Sequence, residues 1–482
     1  MKYRLLTIAT LYFFIGKGFD LSVFVKKELH TNFLNTDLKA LANTSIYLAQ
    51  SIEAKPTTSG EYYRRGVAYQ RSGQLRKALA DFNKSIDRSP LYTKAYYNRA
   101  IIYQELGEFQ KALADFNKIL SVRPEFTEAY YNRGNTYKKL GEFQKAVSDF
   151  DRAINLSPKF AKAYNNRGNT YLEIGEFQKA ISNFDKTITL DSQFAPAYYN
   201  RANTYKELGK LQEAIADYSQ AIAIDPQFTS AYYNRASTYI KLNELKEAIA
   251  DYNQAIDLNS QYAKAYYNRG VVYGKLEEFQ KALIDFDRAI ALGFQFFPAY
   301  YNRAKSYEKL GELQKAVASY SQAINLNPKS PKAYYNRAKL YKELGESQKV
   351  LADYNRAIAL DSKYIEAYNS RGVFYAESRE FQKAITNFDR AIIINPRYVK
   401  AYSNRGNAYM KLEEFSQALT DYERAIDLDP QYADAYYNRG VTYYKMGDIS
   451  HSKEALQKAA SLFQQQGNVP MYLRTTKVLQ QL

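Results

Sequence analysis

In the stretch Ala129–Lys162 the apolar and small positions fall into two stripes: Tyr130, Gly134 and Tyr137, then Phe143, Ala146, Phe150, Ala153 and Ile154. Spacings of three and four residues match one face of an α-helix, so the pattern predicts two amphipathic helices. Gly141 lies where the first would end and Pro158 just past the second, the usual stop signals. The stretch reads as a helical hairpin, and neither helix could bury its stripe alone.

The hairpin recurs along the chain. AYYNRG opens at Ala95 and returns, intact or lightly altered, every 34 residues at Ala129, Ala163, Ala197, Ala231, Ala265, Ala299, Ala333, Ala367, Ala401 and Ala435, with EYYRRG at Glu61 as an earlier copy. Twelve units follow one another without insertion or deletion. A period in the range of about 20–50 residues marks an array whose units are stabilised by stacking on their neighbours. An elongated all-α array therefore replaces the three or so globular domains that length alone suggests. The first-helix position held by Gly134 is Gly or Ala in all twelve copies. It and a small residue of the second helix, such as Ala112 or Ala146, let the two backbones approach closely.

These residues resemble the tetratricopeptide repeat. The signature is carried by Tyr198, Ala202, Tyr205, Ala214, Tyr218, Ala221 and Pro226 in one copy. The second signature Tyr of the first helix, from Tyr69 to Tyr443, is present in every copy, and the second-helix aromatic gives way only at Leu456. Departures are Ser192, Ser260, Phe294, Ser362 and Gln464 in place of Pro, and Val350 and Ser452 in place of the close-packing Ala. The resemblance covers residues 59–466. It implies a right-handed α-solenoid superhelix of helix-turn-helix hairpins, with a concave groove, lined by the first helices, that holds extended peptides.

Where the family usually has Leu, every copy has Arg, from Arg65 to Arg439. Twelve regularly spaced guanidinium forks would suit phosphates or carboxylates. Eight copies, however, carry an acid just before the second-helix aromatic: Asp81, Asp115, Asp149, Asp217, Asp251, Asp285, Asp353 and Asp421. Asn183, Ser319, Asn387 and Ala455 stand there in the other four. A structural pair within each repeat is the expected use of the Arg, whose long stem also covers apolar neighbours.

The opposite stripe of the first helix is the expected binding face, a side that the resemblance chooses and periodicity alone does not. It contains Tyr199, Tyr233 and Tyr267 and their equivalents. Beside them runs a series of Asn: Asn98, Asn132, Asn166, Asn200, Asn234, Asn268, Asn302, Asn336, Asn404 and Asn438, interrupted by Arg64 and Ser370. An amide donates and accepts, so such a ladder suits the main chain of an extended segment without reading its side chains; the alternative is an Asn merely tolerated at the surface. Of the five places of the family's carboxylate clamp, Asn203, Asn234 and Lys264 match, whereas Tyr199 and Asn268 stand where cations are expected. Lys305, Lys309, Lys332, Lys339 and Lys342 gather on the same stripe against Glu308 and Glu343. This is the expected seat of an acidic ligand segment, unless it is simply a solvated mixed-charge face.

Lys plus Arg number 67 against 50 for Asp plus Glu, a formal +17 that favours acidic partners. A groove lined with Tyr and Lys raises nucleic acid or another acidic polymer as an alternative ligand, but Glu105, Glu173, Glu207, Glu343 and Glu377 interrupt it. Cys is absent, and His30 and His451 are the only imidazoles. No thiol chemistry, no metal-ligand spacing and no phosphate-cradling Gly loop can be read from the chain, so neither a cofactor nor catalysis is expected.

The ends differ. Lys2 and Arg4 precede the apolar run Leu5–Gly16, which resembles the start of an export signal. Residues 1–36 are thus expected to be signal-like or membrane-anchoring, and 37–58 a capping helix or degenerate half repeat. Residues 467–482 are expected to form a capping helix begun by Pro470. An exported or envelope-associated protein, with a membrane tether at its amino terminus, is set against a cytoplasmic one. The function expected is a non-catalytic scaffold for protein–protein interaction.

Overall fold

The computed structural model describes Ile52 and residues 55–482, and every regular element among them is a helix. The segment 1–36, with Leu5–Gly16 and His30, and nearly all of 37–54 lie outside the described residues.

One hairpin shows how the sequence builds each unit. Thr127–Lys139 and Phe143–Leu156 are its two helices. Between them Gly141 turns the chain at φ +76°, while its N–H and that of Glu142 close on the carbonyls of Lys138 and Tyr137 at 3.0 and 2.9 Å. Only glycine adopts that left-handed conformation without steric cost. At four equivalent turns Asn243, Glu277, Arg379 and Glu413 do so at φ between 60° and 65°, at a cost of roughly 1 kcal/mol each. Gly134 serves a second purpose, because a Cβ there would lie 2.9 Å from the ring of Phe150. The fully buried aromatics of the second helices, Phe82, Phe116, Phe150 and Phe184 and their Tyr equivalents, fill the space between the paired helices.

The chain divides into two compact units, one ending at Leu242 and the other running from Asn243 to Leu482. In the first, five hairpins from Ser59–Arg71 and Leu75–Arg88 to Ala195–Glu207 and Leu211–Ile224 are followed by Thr229–Lys241. The second begins with Leu245–Leu258 and continues through six hairpins, from Ala263–Lys275 and Phe279–Ala291 to Ala433–Lys445 and Ile449–Gln465. It closes with Val469–Leu479, whose neighbourhood, including Met471, Tyr472 and Val478, packs on Leu456, Leu462 and Phe463. Among the described residues no helix is long and apolar enough to cross a membrane.

Candidate binding face

The recurrent Arg lies between second helices. Arg133 donates from Nε and Nη2 to the two carboxylate oxygens of Asp149, at 2.7 and 2.6 Å, and from Nη1 to Asn117 of the preceding repeat at 2.7 Å. The paired geometry within a repeat returns at Arg65–Asp81, Arg99–Asp115, Arg201–Asp217, Arg269–Asp285, Arg337–Asp353 and Arg405–Asp421. The bond to the preceding repeat also recurs, on Asn83, Asp151, Asp185, Asn253, Asp287, Ser321, Asn355 and Asp389. Tyr130 and Tyr137 flank the same guanidinium at 5.5 and 5.9 Å from their ring centres. Burial pushes the carboxyls of Asp115, Asp149, Asp285 and Asp421 upward, opposed by the Arg bonds. Arg371 rests on two neutral amides, Asn387 and Asn355, and burial lowers its pKa. In the last repeat Ala455 stands where the acid would be, and the buried Nε of Arg439 has no partner among the described residues.

The Asn series on the other stripe is also tied within the chain. The amide of Asn132 donates to the hydroxyl of Tyr97, one repeat earlier, at 2.8 Å. Asn98 meets Tyr63 at 3.1 Å, Asn166 meets Tyr131 at 3.0 Å, and Asn234 meets Tyr199 at 2.8 Å. In the second unit Asn302 meets Tyr267 at 3.1 Å and Asn336 meets Tyr301 at 2.9 Å. Where the tyrosine is itself replaced, Asn200 and Asn404 donate to Asn165 and Asn369 at 3.0 Å. Tyr233 and Asn268 are engaged as well. Asn438 is half-buried, and its backbone carbonyl accepts from Thr442. The tyrosine rings are packed rather than splayed: Tyr97 lies 6.3 Å from Phe116 and 5.4 Å from Phe126, and burial raises its pKa despite the Asn132 bond. Tyr199 and Tyr267 are held in the same way.

Two of the clamp-like residues are spent on each other, the Asn234 amide donating to Asn203, which also accepts from Tyr218. Lys264 is exposed. In the lysine group, Lys305, Lys309 and Lys332 are exposed and enter no ion pair among the described residues. Lys339 reaches Glu308 at 3.3 Å and Lys342 reaches Glu377 at 2.7 Å, each linking adjacent first helices. His451 bonds Asp448 at 2.6 Å and stacks on Tyr443.

Family models described as tetratricopeptide repeat or TPR repeat match residues 62–90, 93–126, 127–160, 161–194, 195–228, 218–250, 236–277, 263–293, 309–345, 331–364, 375–413, 406–447 and 433–466. Together they span most of the chain. The chain belongs to the tetratricopeptide repeat family. No curated protein matches the sequence. Solved structures similar to this tetratricopeptide repeat chain include a tetratricopeptide repeat protein from Parabacteroides merdae, 22% identical, with a TM-score of 0.43 and coverage of 52% of this chain and 98% of that one. Another is YrrB, titled a TPR protein with an unusual peptide-binding site, 27% identical, with a TM-score of 0.36 and coverage of 38% and 95%. Yeast Tom70 is 16% identical, with a TM-score of 0.37 and coverage of 88% and 95%.

Sequence reasoning missed two things in these tetratricopeptide repeats. The second half of the Arg contact was signalled by a polar residue two places after each Asp site, from Asn83 to Asp389. The Asn–Tyr ties carried no separate signal, since a residue serving its neighbour recurs with the same period as one serving a ligand.

Proposed function

We propose that the chain is a non-catalytic scaffold that holds an extended protein segment along its first-helix face. The observation that carries this reading is the Asn–Tyr register, in which the amides are held at 2.8–3.1 Å by the tyrosine of the preceding repeat. That bond fixes the orientation of each side chain before a ligand arrives, which lowers the entropy cost of binding. It also changes the chemistry. At Asn132 and Asn234 the amide nitrogen serves two acceptors, so the side-chain carbonyl is the group a passing main-chain N–H would meet. The packing of Tyr97 between Phe116 and Phe126 weighs against nucleic acid, whose bases would need open ring faces. The amino-terminal segment would supply the tether, if the scaffold works at a membrane.

The test is selection of peptides from a displayed random library on the full chain, followed by the variant Asn132→Ala, Asn166→Ala, Asn200→Ala. At about 1 kcal/mol per lost bond, the triple variant should weaken every selected peptide by about a hundredfold and by similar factors across sequences. Tyr97→Phe with Tyr131→Phe loosens the ties and keeps the Asn; it should lower stability and weaken binding severalfold, well short of the triple variant, because the amides remain but are no longer held in place. A folded triple variant that binds as tightly as wild type removes the ladder from the mechanism.

A further inference from the structure

The first-helix face is not uniform. In the second unit a cavity of about 380 Å³ opens between Pro331–Glu343 and Ile365–Glu377, lined by Tyr335, Lys339, Lys342, Glu343, Tyr354, Ser370 and Val373. Three positions of Ile365–Glu377 carry shorter side chains than their equivalents one repeat earlier, one of them in the register. In six other repeats an Asn reaches the preceding tyrosine; here Ser370 stands in that place, and its hydroxyl stays 3.3 Å from that of Tyr335. The shorter side chain leaves the volume that an amide would fill. Val373 and Ala376 follow where the preceding repeat has Lys339 and Lys342, so the floor is lowered along the next two turns as well.

The cavity thus has an apolar floor, hydroxyls from Tyr335 and Ser370, and two ammonium groups at its rim. Those ammonium groups rest on Glu308 and Glu377, in part-exposed pairs that solvent screens and an incoming carboxylate can exchange. Around them Lys305, Lys309 and Lys332 are exposed, so five cations of this face meet four carboxylates, Glu308, Glu343, Glu366 and Glu377.

We propose that this opening is a side-chain pocket for an acidic residue of the bound segment, with Ser370 and Tyr335 donating to its carboxylate and Lys339 and Lys342 supplying the counter-charge. The inference rests on the scaffold reading above and adds to it a preference for glutamate or aspartate at one register position. Ser370 then serves as a specificity residue, since an amide at that position closes the pocket.

The test uses the full chain and Ser370→Asn, a substitution that restores the register of the other repeats. The probes are fluorescein-labelled dodecapeptides of alternating Ser with Glu or Ser with Gln, followed by anisotropy at low and high salt. Wild type should bind the Glu probe about tenfold more tightly than the Gln probe, with the preference shrinking at high salt. Ser370→Asn and Lys339→Met should each abolish most of that preference and leave the Gln probe unchanged. Equal binding of both probes by wild type, or an unaltered preference in Ser370→Asn, overturns the pocket. Tighter binding of an oligothymidylate, lost in Ser370→Asn, overturns it in favour of nucleic acid. A chain that binds library-selected peptides but neither dodecapeptide overturns the pocket and leaves the scaffold standing, whereas a chain that binds none of them overturns both.

Discussion

Replacing Arg201 by Leu, the residue usual in the family, tests what the Arg contributes. Its side chain is 19% exposed and grips Asp217, 10% exposed, through two bonds of 2.7 Å. Removing one partner of a buried pair costs about 3–5 kcal/mol because the other charge is left without compensation. The residual exposure of Asp217 places the expected loss near the lower end, about 3 kcal/mol. The contact to Asp185, which is half exposed, adds at most about 0.5 kcal/mol, and the loss of the Tyr198 and Tyr205 ring contacts a similar amount. Adding Asp217→Asn should recover about 2 kcal/mol. The chain shows how: at equivalent sites the amides of Asn183 and Asn387 donate to the carbonyls of Lys179 and Lys383, four residues earlier on their own helices. Urea is the suitable denaturant, since guanidinium salts screen the pair. Because repeat arrays depart from two-state melting, hydrogen exchange over Ala195–Glu207 and Leu211–Ile224 should accompany it. A single variant within about 0.5 kcal/mol of wild type, or a double variant no better than the single, refutes the reasoning. Lost peptide binding with unchanged exchange would make Arg201 a ligand contact.

The reverse change should help at the carboxyl end. Ala455→Asp gives the buried Nε of Arg439 its missing acceptor and should stabilise Ala433–Gln465 by about 1–2 kcal/mol, read as slowed exchange; faster exchange there would refute the geometry. At the other end, the N–H groups of Thr57 and Thr58 donate to Glu61 and hold its carboxyl at about 2, below the ordinary 4.5. A lowered carboxyl stabilises above the unfolded value and loses that contribution as pH falls, so the first turn of Ser59–Arg71 should fray between about 4.5 and 2. Amide protection, taken relative to the intrinsic exchange rate at each pH, should be flat across that window in Glu61→Gln, and an equal acid response in both chains would refute the assignment.

The hairpins were legible because two physical signals, helical spacing and Gly or Pro punctuation, coincide in nearly every copy. The Arg–Asp pair was legible too, since both residues face the same seam of one hairpin. What could not be read was anything that depends on how one repeat lies on the next. Asn117 and Arg133 are 16 residues apart, and nothing in their spacing says that stacking brings them to 2.7 Å. Asn132 was placed on the stripe opposite the Arg, but its bond to Tyr97 requires adjacent first helices to lie side by side. Ser370 was visible only as an exception. Its consequence is a space, and a space is made by the residues around it.

The Arg contacts have a bearing on how the array takes load. In the second unit, neighbouring hairpins are fastened in series, and a pull along the chain passes through each fastening in turn. Arg269, Arg337 and Arg405 combine a carboxylate pair with a contact to the preceding repeat. Within their own hairpins Arg303 and Arg371 meet the neutral Ser319 and Asn387, and the Arg439 Nε has no acceptor among the described residues. Tension would therefore open these three hairpins first, at a lower force than their neighbours, while the carboxylate pairs within the other hairpins hold them closed.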